Sequence, residues 1–335
     1  MSFDQKPFSD VVTSEPPQSI EEIVVPDSKP KRAKTPLSVS VKKPSWLKTQ
    51  IPTGSTFFNI KKDLRSKNLY TVCEEAKCPN IGACWATNTA TFMILGDTCT
   101  RACRFCNVKT GNPGGWLDPK EPERVAESVS VMNLQYAVIT MVDRDDLEDG
   151  GSAHSAAVFR AVKTQSPQTK LEFLGGDFNR RTESLQNLLS EDLEVFAHNL
   201  ETVERLTPRV RDARAGYRKS LEVLQKVKAL SKGRLLTKSA LMLGLGETIE
   251  EVINTLKDLR DHEVDIVTIG QYMRPSKRHL SIKEFVPPEE FDRLKEIAME
   301  LGFLSVASGP LVRSSFKASV YYDEAIKLKS SLGEG

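Results

Sequence analysis

A surplus of either charge is missing from this chain: 47 Lys and Arg stand against 45 Asp and Glu in 335 residues, a formal charge of +2. Binding nucleic acid or an anionic membrane by bulk charge would need an excess of one sign. Long hydrophobic runs are missing too, since none approaches the roughly 18 apolar residues of a membrane helix. Residues 1–28 hold six acidic residues, one Lys and no apolar core segment. That is the composition of neither an export signal nor an Arg-rich transit peptide. These absences predict a soluble, cytoplasmic protein with no nucleic-acid or membrane partner. No internal repeat is evident. Cysteine is absent from nine-tenths of the sequence, because all six lie between Cys73 and Cys106. A chain of this length has enough core to fold without disulfides, and without an export signal its thiols are expected to stay reduced. The clustering is the first functional lead.

What is present is ordinary globular material, 39% hydrophobic and 27% charged, enough for a sizeable core. The length suits two domains or a single α/β barrel. Residues 1–43 read as a disordered, Pro-rich tail, with seven of the 18 prolines falling by Pro44; such a stretch buries too little apolar surface to offset its ordering entropy. Its Lys29, Lys31, Arg32, Lys34, Lys42 and Lys43, with no acid between them, are alternatively a docking strip for an acidic partner. Residues 44–90 form an N-terminal extension that carries the first three cysteines. From 91 to 310 short apolar runs alternate with amphipathic ones. Strands are predicted at 91–95, 136–142, 171–174, 195–198, 235–243, 265–269 and 303–307. Helices are predicted at 121–134, 152–165, 182–189, 218–230, 248–262 and 288–301. Pro122 between Glu121 and Glu123, and Pro288 before Glu289 and Glu290, supply the proline and acid favoured at helix starts. Thr248 with Glu251 has the capping-box spacing.

Six βα units and a closing strand predict an α/β fold with a parallel sheet: a partial (β/α)6 barrel with N-terminal and C-terminal extensions, or else a doubly wound sheet. In both, the reactive surface lies at the C-terminal strand ends. Cys99, Cys103 and Cys106 follow the first such strand at once, spaced CxxxCxxC. Three thiolates this close can converge on one metal centre. On a cubane 4Fe–4S cluster they would leave one iron without a protein ligand, and open positions are where metal-site chemistry occurs. The alternative is zinc with its fourth ligand, His154 or His198, elsewhere, although zinc more often uses paired CxxC units. Cys73, Cys78 and Cys84 make a second trio, spaced CxxxxCxxxxxC; either it holds a second cluster or its thiols are incidental. Asn199 and Glu201 follow a strand and are either ligand-binding or a local capping pair. The four histidines share no spacing that suggests a base or metal pair, and all are read as structural.

With Phe105 between the last two cysteines, the CxxxCxΦC loop resembles that of the radical S-adenosylmethionine (SAM) superfamily. The upstream trio resembles the auxiliary-cluster motif of the lipoyl synthase family within it. Residues 74–80, 92–96, 142–147, 197–202, 237–239, 244–248 and 307–315 are also similar, so the resemblance spans about residues 42–320 and implies a partial barrel of radical SAM type. It implies two 4Fe–4S clusters and SAM as cofactors. Cys99, Cys103 and Cys106 would hold the cluster whose open iron chelates SAM. Phe105 would lie near the adenine, and Asn199 and Glu201 would contact the ribose or methionine. Cys73, Cys78 and Cys84, with Ser315 of the C-terminal segment 311–335, would hold the auxiliary cluster.

The reaction implied is insertion of two sulfurs, drawn from the auxiliary cluster, at carbons 6 and 8 of a protein-bound octanoyl-lysine chain, with two SAM consumed. The partners implied are octanoylated lipoyl carrier domains (dehydrogenase acyltransferase subunits and the glycine cleavage H protein), an electron donor and a cluster-repair protein. Residues 244–248 resemble a phosphate-cradling Gly loop without its Lys and are expected to turn from strand to helix along the SAM cavity. Residues 143–146 are a charge run, by default a solvated loop and, by the resemblance, a substrate-side element. Phe316 stands where the family has Tyr, losing a hydroxyl and keeping the ring.

Overall fold

The alternation of apolar strands and amphipathic helices winds one sheet in a single direction. The computed structural model describes residues 43–48, 62, 64, 65, 67, 69–71, 74, 78, 80, 81 and 91–333. Most of the tail and extension, including Cys73 and Cys84, lies outside them. The sheet comprises β1 (Tyr70–Thr71), β2 (Thr91–Ile94), β5 (Tyr136–Met141), β6 (Lys170–Leu174), β7 (Val195–Ala197), β8 (Leu236–Leu243), β9 (Ile266–Gln271) and β10 (Ser305–Gly309), adjacent in that order. From β2 onward every pair is parallel, while β1 runs antiparallel to β2. A doubly wound sheet reverses its strand order at a switch point. This one never reverses, which decides for the barrel, and among the described residues β10 pairs with β9 alone, so the barrel is partial.

The helices α1 (Glu121–Val131), α2 (Ser152–Gln165), α3 (Thr182–Leu189), α4 (Thr207–Val210), α5 (Tyr217–Leu230), α6 (Ile249–Asp261) and α7 (Pro288–Glu300) fill the connections. Their starts follow local chemistry. Pro122 and two glutamates open α1, and Pro288 opens α7. At α6 the Thr248–Glu251 capping box forms in both directions. The outward faces of the strands pack on these helices: Phe159, Phe173 and Phe196 meet edge to face at 4.9 and 5.9 Å, a geometry that suits the ring quadrupoles.

The inward faces carry the surprise. Residues beyond Ala318 form α8 (Ala318–Ser331), an element the sequence reading left out. Its Ala318, Tyr322 and Ala325 pack against Tyr136, Val138, Val195, Leu236 and Ile266. The C-terminal segment thus stoppers the N-terminal end of the barrel. Above this stopper lies a buried polar layer. Lys238 Nζ is 2.7 Å from Glu172 Oε1, and the Tyr136 hydroxyl donates to Glu172 Oε2 at 2.8 Å. Burial, and then the Glu172 charge, push the Tyr136 phenol well above its ordinary range. Lys238→Met would strand the Glu172 carboxylate. It is expected to cost about 3–5 kcal/mol in urea unfolding, with most of that recovered when Glu172→Leu is added, because an apolar pair replaces an ion pair more readily than a lone charge can be buried.

Candidate active site

The C-terminal end of the barrel opens into a cavity of about 560 Å3. After β2 the chain turns through Leu95 and Gly96, both at positive φ, into a short parallel ladder of β3 (Thr98–Cys99) and β4 (Lys109–Thr110). This ladder closes the cysteine loop, with Gly111 N donating to Cys99 O at 3.0 Å. Other βα loops hold the loop in place. Thr100 N donates to Asp143 O at 2.9 Å and Arg104 N to Val210 O at 2.9 Å. Ala102 N donates to Asp212 Oδ2 at 2.8 Å, and His279 Nε2 lies 2.9 Å from Cys106 O.

Cys99, Cys103 and Cys106 all face the cavity. Burial, with the Asp143 charge behind it, pushes the Cys99 thiol up to about 12. Burial pushes Cys103 up to about 11 and raises Cys106 as well. Yet backbone N–H groups point at the sulfurs, Arg101 N at Cys99 Sγ (3.4 Å) and Asp212 N at Cys103 Sγ (3.3 Å). Buried thiols that receive donors are built to be thiolates beside a cation. Among the described residues no group of three or more His, Cys, Asp or Glu is set to hold a single metal ion. Three buried thiols lining one cavity are soft donors of the kind that iron–sulfur clusters take.

Inside the cysteine motif, Arg101 turns inward and is buried. Its guanidinium donates to both oxygens of Asp145 at 2.8 and 3.0 Å and both of Asp177 at 2.7 and 2.9 Å. Burial opposes ionisation of Asp177, but Arg101 outweighs it and holds that carboxyl far below the ordinary range. Asp143 faces the cavity; burial, helped by Asp177 and Asp145 and opposed by Arg101, pushes it up to about 6. The run 143–146 is thus no solvated loop. Arg144 is fully buried, bonded to Asp146, Leu95 O and Trp116 O. Adjacent charges of opposite sign can pair indoors, which a charge count along the sequence does not reveal.

Glu201 sits at φ 69°. Its backbone bridges to β8, Glu201 N donating to Ala240 O and Met242 N to Glu201 O, both at 2.9 Å. Asn199 Nδ2 donates to Glu201 Oε1 at 3.1 Å. Both residues and Phe105 line the cavity with the three cysteines, and the Asn199–Glu201 hydrogen bond makes them a local pair. Burial raises Glu201, with the buried Arg211 opposing. His198 also lines the cavity, its Nδ1 donating to Gly175 O (2.9 Å) and its Nε2 accepting from Ser220 (2.8 Å). The turn at 244–248 is corrected on position. It joins β8 to α6 as expected, but Glu247 closes it on itself by accepting from Gly244 N and Leu245 N, and it lies away from the cavity wall.

The strap after β10 brings Val312, Arg313 and Ser314 to the same cavity. Phe316 N donates to Arg313 O at 2.9 Å, making the turn that carries half-buried Ser315. The extension docks here, since Asn80 Nδ2 donates to Leu311 O at 2.6 Å, and Cys78 is close enough to feel the Arg313 charge. One Arg313 nitrogen, Nη2, is buried with no hydrogen-bond partner among the described residues. A cysteine, nearby serines and an unsatisfied cationic donor fit an anionic cluster. The Phe316 ring lies 5.5 Å from the Lys317 ammonium. Arg313 lies in the run 307–315 that the resemblance marks, and only the fold brings that run to the Cys78 segment.

Residues 93–259 match the family model of the radical SAM superfamily, and residues 6–78 match the N-terminal domain of lipoyl synthase of that family. The fold is similar to the crystal structure of HydG, a maturase of the [FeFe]-hydrogenase, at TM-score 0.52 over 81% of this chain and 69% of that one, with 12% identity. Fold, cysteine loop and family model together define a radical SAM enzyme. The sequence is 54% identical over 299 residues to the mitochondrial lipoyl synthase of Schizosaccharomyces pombe, covering 88% of this chain and 80% of the relative. It is 50% identical over 300 residues to the lipoyl synthase of Ectopseudomonas mendocina, covering 90% and 85%. The chain belongs to the lipoyl synthase family, enzymes of lipoyl cofactor biosynthesis that use SAM and 4Fe–4S clusters. The expected cytoplasmic location is corrected, because the relatives from S. pombe, Scheffersomyces stipitis and Clavispora lusitaniae are named mitochondrial. An acidic opening stretch says nothing about where a folded enzyme works.

Burial, followed by the Arg211 charge, lowers His198 from 6.5 to about 4, so the ring is neutral at physiological pH. As pH falls from 6.5 to 4, the unfolded chain takes up a proton that the fold refuses, and stability is lost, by roughly 3 kcal/mol in full. His198→Gln is expected to flatten the stability profile over that window in chemical unfolding series. An unchanged slope would mean that His198 titrates normally.

Proposed function

We propose that this chain converts an octanoyl group, amide-linked to a carrier lysine, into lipoyl by adding sulfur at carbons 6 and 8, in mitochondria as the similar yeast enzymes' names indicate. Cys99, Cys103 and Cys106 hold the SAM-binding cluster. Cys73, Cys78, Cys84 and Ser315 hold the auxiliary one. Phe105, Asn199 and Glu201 contact SAM. The carriers are dehydrogenase acyltransferase subunits and the glycine cleavage H protein, and a reductant and a cluster-repair protein complete the cycle. The observation that carries this reading is that one cavity is lined both by the cysteine trio and by the strap on which the Cys78 segment docks.

When bound, the clusters and SAM supply hydrogen abstraction from an unactivated C–H bond and the sulfur that replaces it. The protein's own residues handle placement. Met93, Met141, Val142, Leu174, Leu241 and Met242 line the cavity and offer an octanoyl chain an apolar channel that sheds water. Glu201 and Asn199 present acceptor and donor groups suited to a ribose or an amino-acid ammonium. Asp143, close to the Arg101 network, keeps its carboxyl at the cavity surface.

Mass spectrometry of an octanoylated carrier peptide, after anaerobic incubation with reconstituted protein, SAM and a strong reductant, tests the reading. A product with two added sulfurs and 5′-deoxyadenosine is expected. Cys103→Ala is expected to abolish 5′-deoxyadenosine formation. Cys78→Ala is expected to keep SAM cleavage and lose sulfur insertion. Lipoyl product from Cys78→Ala would remove the auxiliary trio from the mechanism, and wild-type SAM cleavage by Cys103→Ala would refute the first assignment.

A further inference from the structure

Arg313 reaches the cavity with its charge buried and some of its bonding capacity unused. Gly270 of β9 makes room for the strap: a Cβ there would stand 2.1 Å from Val312 O and 3.3 Å from Arg313 Nη1. The side chain is fixed by Nη1 donating to Val312 O at 2.5 Å. Among the described residues Nη2 is buried without an acceptor, and no carboxylate pairs with this guanidinium. The hydrogen bond from Asn80 Nδ2 to Leu311 O at 2.6 Å seats the Cys78 segment on the same strap. A buried cation with a free donor is costly, so the arrangement makes sense only when something anionic lies against Nη2. The same turn presents Ser314 and Ser315.

We propose that Arg313 is a positioning residue for the auxiliary cluster, its Nη2 donating to a sulfur of that centre (the Cys78 thiolate or a cluster sulfide) while its charge offsets the centre's negative charge. This rests on the assignment of Cys73, Cys78 and Cys84 made above. Three thiolates and a serine oxygen around four irons leave a net negative centre, and in a low-dielectric wall that charge needs a fixed counter-charge. The strap therefore supplies both the fourth ligand and the counter-ion, and outer partners of this kind tune metal retention as strongly as they tune orientation.

The test compares Arg313→Met and Arg313→Lys with wild type, each as full-length protein, metal-free and reconstituted. Without metal, Arg313→Met is expected to melt at or above wild type, because an unpaired buried charge is gone. Reconstituted, it is expected to melt below wild type and to release the second cluster's iron to a chelator about 10–100-fold faster. The auxiliary midpoint potential is expected to move negative in Arg313→Met, tenfold in the reduced-to-oxidised ratio corresponding to 59 mV for one electron. Arg313→Lys is expected to stay near the wild-type potential and still release iron faster. Destabilisation of both metal-free and reconstituted Arg313→Met by the same amount would make the residue merely structural and overturn the proposal. So would unchanged iron release with weakened SAM binding. If Arg313→Met does not fold, Arg313→Lys decides through iron release. Cys78→Ala separates the two claims. If it keeps all its iron, the ligand assignment fails. If it loses the second cluster's iron while Arg313→Met holds it, only the role of Arg313 fails.

Discussion

The guanidinium of Arg101 ties the cysteine loop to the barrel. It lies two residues from Cys99 and two from Cys103, and it is clamped on two edges by Asp145 and Asp177 from the loops after β5 and β6. Fork-to-fork pairing of this kind is strong and directional. It turns a flexible stretch of irregular backbone into a rigid platform that holds three thiols at one end of the cavity. The desolvation this requires is large, and Lys219, 3.0 Å from Asp177, helps to meet it. The neighbouring Arg144–Asp146 pair does the same further from the cavity, fastening the loop after β5 to Leu95 O and Trp116 O.

Electrostatics divide the barrel interior into three levels. At the bottom, small residues and Tyr322 of α8 make a dry stopper. In the middle, Lys238, Glu172 and Tyr136 form a self-contained polar layer with no side chain facing the cavity. At the top, Asp143, Glu201, Arg211, His198 and the thiols share one poorly hydrated space, where each shifts the others. Burial holds Asp143 up and His198 down, so both are biased toward their neutral forms.

The family assignment and this geometry meet at the strap after β10. Sequence similarity marks residues 307–315 as belonging to the enzyme. Folding places that strap beside Cys78, some 230 residues earlier, through the Asn80–Leu311 bond. Gly270 is the local condition for this, because any larger residue would collide with the Val312 carbonyl.

The sequence by itself determined the alternation of strands and helices, the barrel-forming class and both cysteine motifs. Hydrophobic periodicity, capping chemistry and ligand spacing are all local, and they are legible within a few residues. The strands at 136–141 and 266–271, the helices at 152–165 and 182–189 and the Thr248 capping box fall where local pattern put them. Only the tertiary structure decided that the charge run at 143–146 is interior, that the Gly turn at 244–248 stays off the cavity, that the last helix stoppers the barrel, and that the strap after β10 holds the Cys78 segment. Each of these depends on which distant group satisfies a charge or covers an apolar face. Burial and pairing are properties of neighbours in space, and spacing along the chain does not encode them.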